Sequence, residues 1–141
     1  MARERQLTRA RAEKVDSRVA RLAAKQWSVL DTADLRACGL SYDGIATRVR
    51  NGLLHPFYRG VYAWGHPHLS LNGCFLAAVK ACGDRAVLSH FSAACLWDLL
   101  EWDYRDIEVT APNPRRHQGI RAHQATTSNA PTATASRSRR L

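Results

Sequence analysis

Two helix-capping positions, two glycines placed to stop helices and one Arg-Gly turn crowd into residues 31–66, DTADLRACGLSYDGIATRVRNGLLHPFYRGVYAWGH, and leave that stretch few ways to fold. Asp31 or Thr32 can cap a short helix over 33–38, because a side-chain oxygen there takes an amide proton that the first turn leaves unpaired. Leu35 and Cys38 then face inward, and Gly39 supplies the positive φ that ends a helix. Leu40 packs the turn, Ser41 caps a further helix over 42–51, and Gly52 stops it.

In that helix Tyr42, Ile45, Ala46 and Val49 recur at i, i+3, i+4, i+7 and are expected to be buried. Gly44, Thr47 and Asn51 lie opposite, flanked by Asp43, Arg48 and Arg50. Gly44 allows close approach, Thr47 and Asn51 suit phosphate or base edges, and Arg48 or Arg50 suits guanine or phosphate. The same residues also fit the ordinary polar side of an amphipathic helix; the order of elements around them favours the first reading. Next, 53–57 and 61–64 are two β-prone runs around Tyr58-Arg59-Gly60, a hairpin with Pro56 on an edge strand and Arg59 at its tip, facing a phosphate or a minor groove. Upstream, Val19, Leu22, Ala23 and Gln26-Trp27 form one apolar helix face, with Ser17 as N-cap and Arg18, Arg21 and Lys25 on the other side. Three helices with a glycine turn between the last two, then a hairpin, make a winged helix-turn-helix over 17–68.

Charge sharpens this. The 141-residue chain carries a formal +9, divided as +5 over 1–25, +1 over 26–68, −3 over 69–113 and +6 over 114–141. A basic excess favours a polyanion, since lysine and arginine displace phosphate counterions. It sits in the two ends, which read either as phosphate-contacting arms or as solvated extensions. Residues 1–16 are a basic arm, a frayed helix or disordered. The four cysteines, at 38, 74, 82 and 95, form no CxxC pair, which disfavours a zinc ribbon and favours reduced, packed thiols in the cytoplasm. His66 and His68 lack a Cys or carboxylate at ligand spacing, so no metal or cofactor is expected. The N-terminus has no apolar core of a signal peptide, and no run is long enough to span a membrane.

Residues 69–125 continue as helices: 73–82 capped by Ser70 and Asn72, with Phe75, Leu76, Val79 and Cys82 on one face, then Val87 to Leu99 in helical rhythm. Ser92-Ala93-Ala94 suits close packing, and Trp97 or Trp102 offers an exposed ring. Strands over 106–110 and 119–123 are expected to pair as a short β-hairpin around a basic loop. Residues 126–141 are polar and expected to be a disordered tail. The fold class is α+β: an N-terminal winged helix-turn-helix, a helical segment with a short hairpin, and the tail.

Several runs resemble the AbiEi-type antitoxins of type IV toxin–antitoxin systems: Val19-Ala20-Arg21-Leu22-Ala23, Gly39-Leu40-Ser41, Arg48-Val49-Arg50-Asn51-Gly52-Leu53-Leu54-His55, Tyr58-Arg59-Gly60-Val61-Tyr62 and Ala86-Val87-Leu88-Ser89-His90. The resemblance covers about 17–124 and implies a winged-helix domain that binds inverted repeats in the promoter of its own operon and represses it. It makes 69–125 a partial α/β antitoxin-like domain. It also implies a nucleotidyltransferase toxin as partner, neutralised through a C-terminal domain that in some relatives is endonuclease-like. After His123 this sequence departs from the family, so a truncation is expected, and with it doubt over toxin neutralisation and nuclease activity. Asp103, Asp106 and Glu108 lack the lysine of a metal-dependent nuclease, and Ser89-His90, expected to diverge on one helix, lack the flanking glycines of a hydrolase. The expected function is therefore a non-enzymatic DNA-binding regulator, with a protein-interaction module or a remnant of a longer nuclease-like protein as the alternative. Its expected DNA contacts are Ser41, Gly44, Thr47, Arg48, Arg50, Asn51, Arg59, Arg18, Arg21 and Lys25.

Overall fold

The computed structural model describes residues 2–125. The described chain is α+β, with five helices and two three-stranded sheets. Helix α1 (Ala2–Lys25) leads into β1 (Val29–Asp31), α2 (Thr32–Ala37) and α3 (Tyr42–Arg50). Strands β2 (Leu54–Tyr58) and β3 (Val61–Trp64) follow, then α4 (Leu71–Ala81), β4 (Val87–Leu88), α5 (His90–Leu96), β5 (Ile107–Ala111) and β6 (Ile120–Gln124). The tail expected over 126–141 lies outside the described residues.

Ser17 is not an N-cap. The helix already runs through it, and its hydroxyl donates to the Glu13 carbonyl at 2.9 Å. Residues 2–16 are rich in Ala, Arg and Glu, strong helix formers that extend the helix without a core to pack on. Inward packing of α1 begins only at Val15. Asp31 caps α2 in a capping box: Asp34 N donates to Asp31 Oδ1 at 2.8 Å, and Asp31 N donates back to Asp34 Oδ2 at 3.1 Å. Gly39, at φ 104, turns the chain into α3 as its lack of a Cβ allows.

Strand β1 is a short element that periodicity alone does not reveal. It pairs antiparallel with β3, which pairs with β2 in the hairpin, giving the order β1-β3-β2 with Pro56 on the edge strand. Alternation sends successive side chains to opposite faces. Leu30 and Leu54 join Val19, Ala23, Leu35, Leu40 and Ile45 in the core under α1–α3. Val29 and Val61 join a second core with Phe75, Ala78, Cys82, Leu88 and Val109. The sheet is thus covered on both sides, by α1–α3 and by α4, which also touches β4 and β5. Gly73 permits the approach of α4, because a Cβ there would meet the Trp27 carbonyl oxygen at 3.1 Å.

The second half departs from expectation in four ways. Val87 and Leu88 form strand β4 on β5 rather than the start of a helix. Leu99 and Leu100 lie past the end of α5 and are exposed. Trp102 is half-buried, edge-on to Phe75 at 5.2 Å between centroids, while Trp97 stays exposed. Strands β5 and β6 run parallel, with Ile107 opposite Ile120, so they are no hairpin. The link over 112–119 makes the return by crossing the end of α4, where Arg115 N donates to the Cys82 carbonyl at 3.5 Å and His117 Nε2 lies 2.9 Å from the Ala81 carbonyl. The basic loop is therefore anchored rather than free at a hairpin tip.

A polar junction ties the halves together. Lys80 of α4 donates to Asp31 Oδ2 at 3.2 Å and Asp34 Oδ2 at 2.9 Å. Burial alone would push the Asp34 carboxyl up; the Asp31 amide, Lys80 and Gln26 together outweigh it and hold the group below its ordinary value. The four thiols are free, and burial raises each of them, so they stay protonated. No described helix is long and apolar enough to cross a membrane.

Candidate nucleic-acid interface

Helix α3 is held at both ends by its own sequence. The Ser41 hydroxyl accepts from Gly44 N at 3.0 Å, and Asn51 closes the C-terminus with its amide on the Thr47 carbonyl. Two contacts then set its rotation. Ile45 is buried under α1 and α2, and the Arg48 side chain, only 14% exposed, turns inward to α1. There its Nε donates to Asp16 Oδ1 at 2.6 Å, while Nη1 donates to the Gly44 carbonyl at 3.1 Å.

The helix consequently presents a face about one residue out of phase with the expected one. Tyr42, expected to be buried, is 68% exposed, and Ala46 is exposed too. Gly44 is half-buried, and a Cβ on it would lie 3.1 Å from Leu40. Thr47 donates to the Asp43 carbonyl at 2.9 Å and accepts from Arg50 Nη2 at 3.2 Å, so its hydroxyl is spent on its own helix. The outward residues are Tyr42, Asp43, Ala46 and Arg50, with Asn51 exposed at the end. Arg36 of α2 lays its guanidinium 4.6 Å over the Tyr42 ring, a cation–π contact that steers both outward.

Between α3 and the hairpin runs an open groove of about 800 Å³, lined by Tyr42, Ala46, Val49 and Arg50 on one wall and Pro56 to Gly60 with Tyr62 on the other. Arg59 stands exposed in the turn. The turn itself is tethered, because Thr32 donates from N to the Gly60 carbonyl at 2.9 Å. Of the ten expected contact residues, Arg50 and Arg59 share this groove. Arg18, Arg21 and Lys25 are exposed along α1, outside its lining, with Arg18 Nη1 3.5 Å from the Cys38 carbonyl at the α2–α3 turn. Tyr42, Ala46 and Phe57 also line the groove, and Arg36 adjoins it through the Tyr42 ring, though none of them is among the expected contacts. An aromatic between the N-cap Ser41 and Asp43, in the first turn of a helix, was the available signal for Tyr42.

Residues 17–63, which hold the C-terminal third of α1, the first sheet nearly to its end, α2, α3 and both walls of the groove, match the family described as transcriptional regulator, AbiEi antitoxin. No curated protein matches the chain.

Proposed function

We propose that this chain, whose residues 17–63 carry the AbiEi-antitoxin type of transcriptional regulator sequence, binds double-stranded DNA as a winged helix-turn-helix and represses its own operon. The order α1-β1-α2-α3-β2-β3, with a three-stranded antiparallel sheet ending in a tethered hairpin, supports the winged-helix reading. The observation that carries the function is the placement of Arg50 and Arg59 on opposite walls of one groove, beside an outward helix face small enough at Ala46 for close approach. In this reading α3 enters the major groove with Tyr42, Ala46 and Arg50 toward the bases. Arg59 grips a phosphate or the minor-groove edge beside it. The exposed cations of α1 add phosphate contacts that carry affinity rather than sequence preference. Two copies, as a dimer or as paired monomers, read the two halves of an inverted repeat.

The protein works in the cytoplasm without catalysis, as a basic arm (1–16), a DNA-reading domain (17–68), a partial antitoxin-like domain (69–125) and a tail (126–141). A nucleotidyltransferase toxin is the protein partner that the family resemblance implies. The test is a gel-shift with the upstream region of its own gene at two salt concentrations. Binding that survives excess bulk DNA and weakens steeply with salt supports the reading; equal affinity for unrelated duplex defeats it.

A further inference from the structure

We propose that His90, Glu108 and His123 form a site for a divalent transition-metal ion of the zinc class, held by two imidazole nitrogens and one carboxylate. One ligand atom from each residue lies within 4.8 Å of the other two. Three elements deliver them. The parallel register sets Glu108 opposite Arg121 and Thr110 opposite His123, so all four sit on one face of the second sheet. His90 opens α5 against that face. Its left-handed φ of 51 is a conformation that a Cβ disfavours, and its ring lies against His123 at 4.3 Å between centroids, tilted by 39°. The expectation that Ser89 and His90 diverge on one helix is also corrected here: Ser89 is the extended N-cap, and His90 Nδ1 lies 3.0 Å from its hydroxyl.

Two further observations point to a ligand. His123 Nε2 is shut off from solvent and has no hydrogen-bond partner among the described residues, a state that buried polar atoms seldom tolerate. The Glu108 side chain is 12% exposed, and its Oε2 is fixed by a hydrogen bond from Phe91 N at 3.0 Å. The cation nearest its other oxygen is the largely exposed Arg121, 3.9 Å away. An oriented, nearly buried carboxylate beside an unpartnered imidazole nitrogen is how a ligand set is held ready. The exposed His90 ring borders the set on its solvent side, with Nδ1 4.0 Å from Glu108 Oε2. Two imidazoles select zinc, nickel, cobalt or iron over magnesium and calcium, which take all-oxygen shells. A fourth position is left for water. Bound metal would pin α5 to β5 and β6.

The test titrates the metal-free full chain with Zn²⁺, Co²⁺ and Mg²⁺ near neutral pH, following thermal unfolding and visible absorption. Saturable binding of one Zn²⁺, a raised melting temperature and cobalt ligand-field bands without a thiolate charge-transfer band are expected. His90→Asn keeps a residue that tolerates positive φ, and Glu108→Gln keeps the shape of the carboxylate. Loss of an outer-shell partner alone costs about 10–100-fold in affinity, so each variant is expected to weaken Zn²⁺ by at least about 100-fold, whereas His66→Ala with His68→Ala leaves it unchanged. The proposal is overturned by absent Zn²⁺ binding in the native chain, by native affinity in both site variants, by a thiolate band, by dependence on His66 and His68, or by an equal response to Mg²⁺.

Discussion

Arg48 Nε of α3 and Asp16 Oδ1 of α1 meet at 2.6 Å across 32 positions of sequence. This ion pair fixes which side of α3 faces outward, and it takes one arginine away from any ligand. Arg48→Ala is therefore expected to act on stability. Losing a half-buried, charge-assisted hydrogen bond costs about 1.5–3 kcal/mol, read in urea unfolding, while the salt dependence of DNA affinity keeps its slope. A slope shallower by about 0.9, the value of one phosphate contact, would place Arg48 on the DNA instead.

Arg50→Ala and Arg59→Ala are expected to show the opposite pattern. Both side chains are exposed, so each change stays within about 0.5 kcal/mol in stability. Loss of the Arg59 phosphate contact flattens log K against log salt by about 0.9, whereas loss of Arg50, aimed at the bases, costs about 1–3 kcal/mol of preference for the cognate site. Anisotropy titrations at several salt concentrations distinguish the two classes.

Ala46→Glu tests the rotation of α3 directly. Glutamate is a good helix former, and the site is exposed, so folding is unaffected. A carboxylate facing the duplex is expected to abolish detectable binding in a gel-shift. The same change at Asn51, at the edge of the face, is expected to be milder; the reverse order would restore the phase inferred from periodicity.

Lys80→Met is expected to shift acid unfolding. The Asp34 carboxyl is held below its ordinary value with Lys80 among the causes. A depressed folded value stabilises above the unfolded value, about 3.9, and that stability is lost as pH falls through the folded value. Without Lys80 the carboxyl keeps its burial but loses its cation, so its folded value rises. The acid midpoint, followed by circular dichroism, is expected to move to higher pH, with a loss of about 1–3 kcal/mol at neutral pH.

What the sequence made legible was mostly local. Asp31, Ser41 and Ser70 cap as their side chains require, and Gly39 and the Arg59-Gly60 turn sit where the chain must reverse. The hidden features depend on partners far along the chain. Arg48 reads as surface until Asp16 is known to face it, and Tyr42 reads as core until Arg48 has taken the inward position. Strands β1 and β4 are too short for a period. The parallel pairing of β5 and β6 depends on the 112–119 link lodging against Ala81 and Cys82, contacts that no local pattern encodes. The resemblance, by contrast, found the regulator segment that the family match covers.

A chain ending at residue 68 is expected to unfold more readily than the full chain. Removing α4 uncovers Val29 and Val61, both essentially buried, at about 1.5–3 kcal/mol each. Melting curves of the two chains check this.

The first sheet has α3 and its neighbours above it and α4 below. The strand that leads out of the Arg59 turn thus rests on a helix belonging to the part of the chain beyond the family match. Anything that lifts α4 would pull support from beneath the groove between α3 and the hairpin without touching it. The packing of the later residues and the shape of that groove thus meet at two valines, Val29 and Val61.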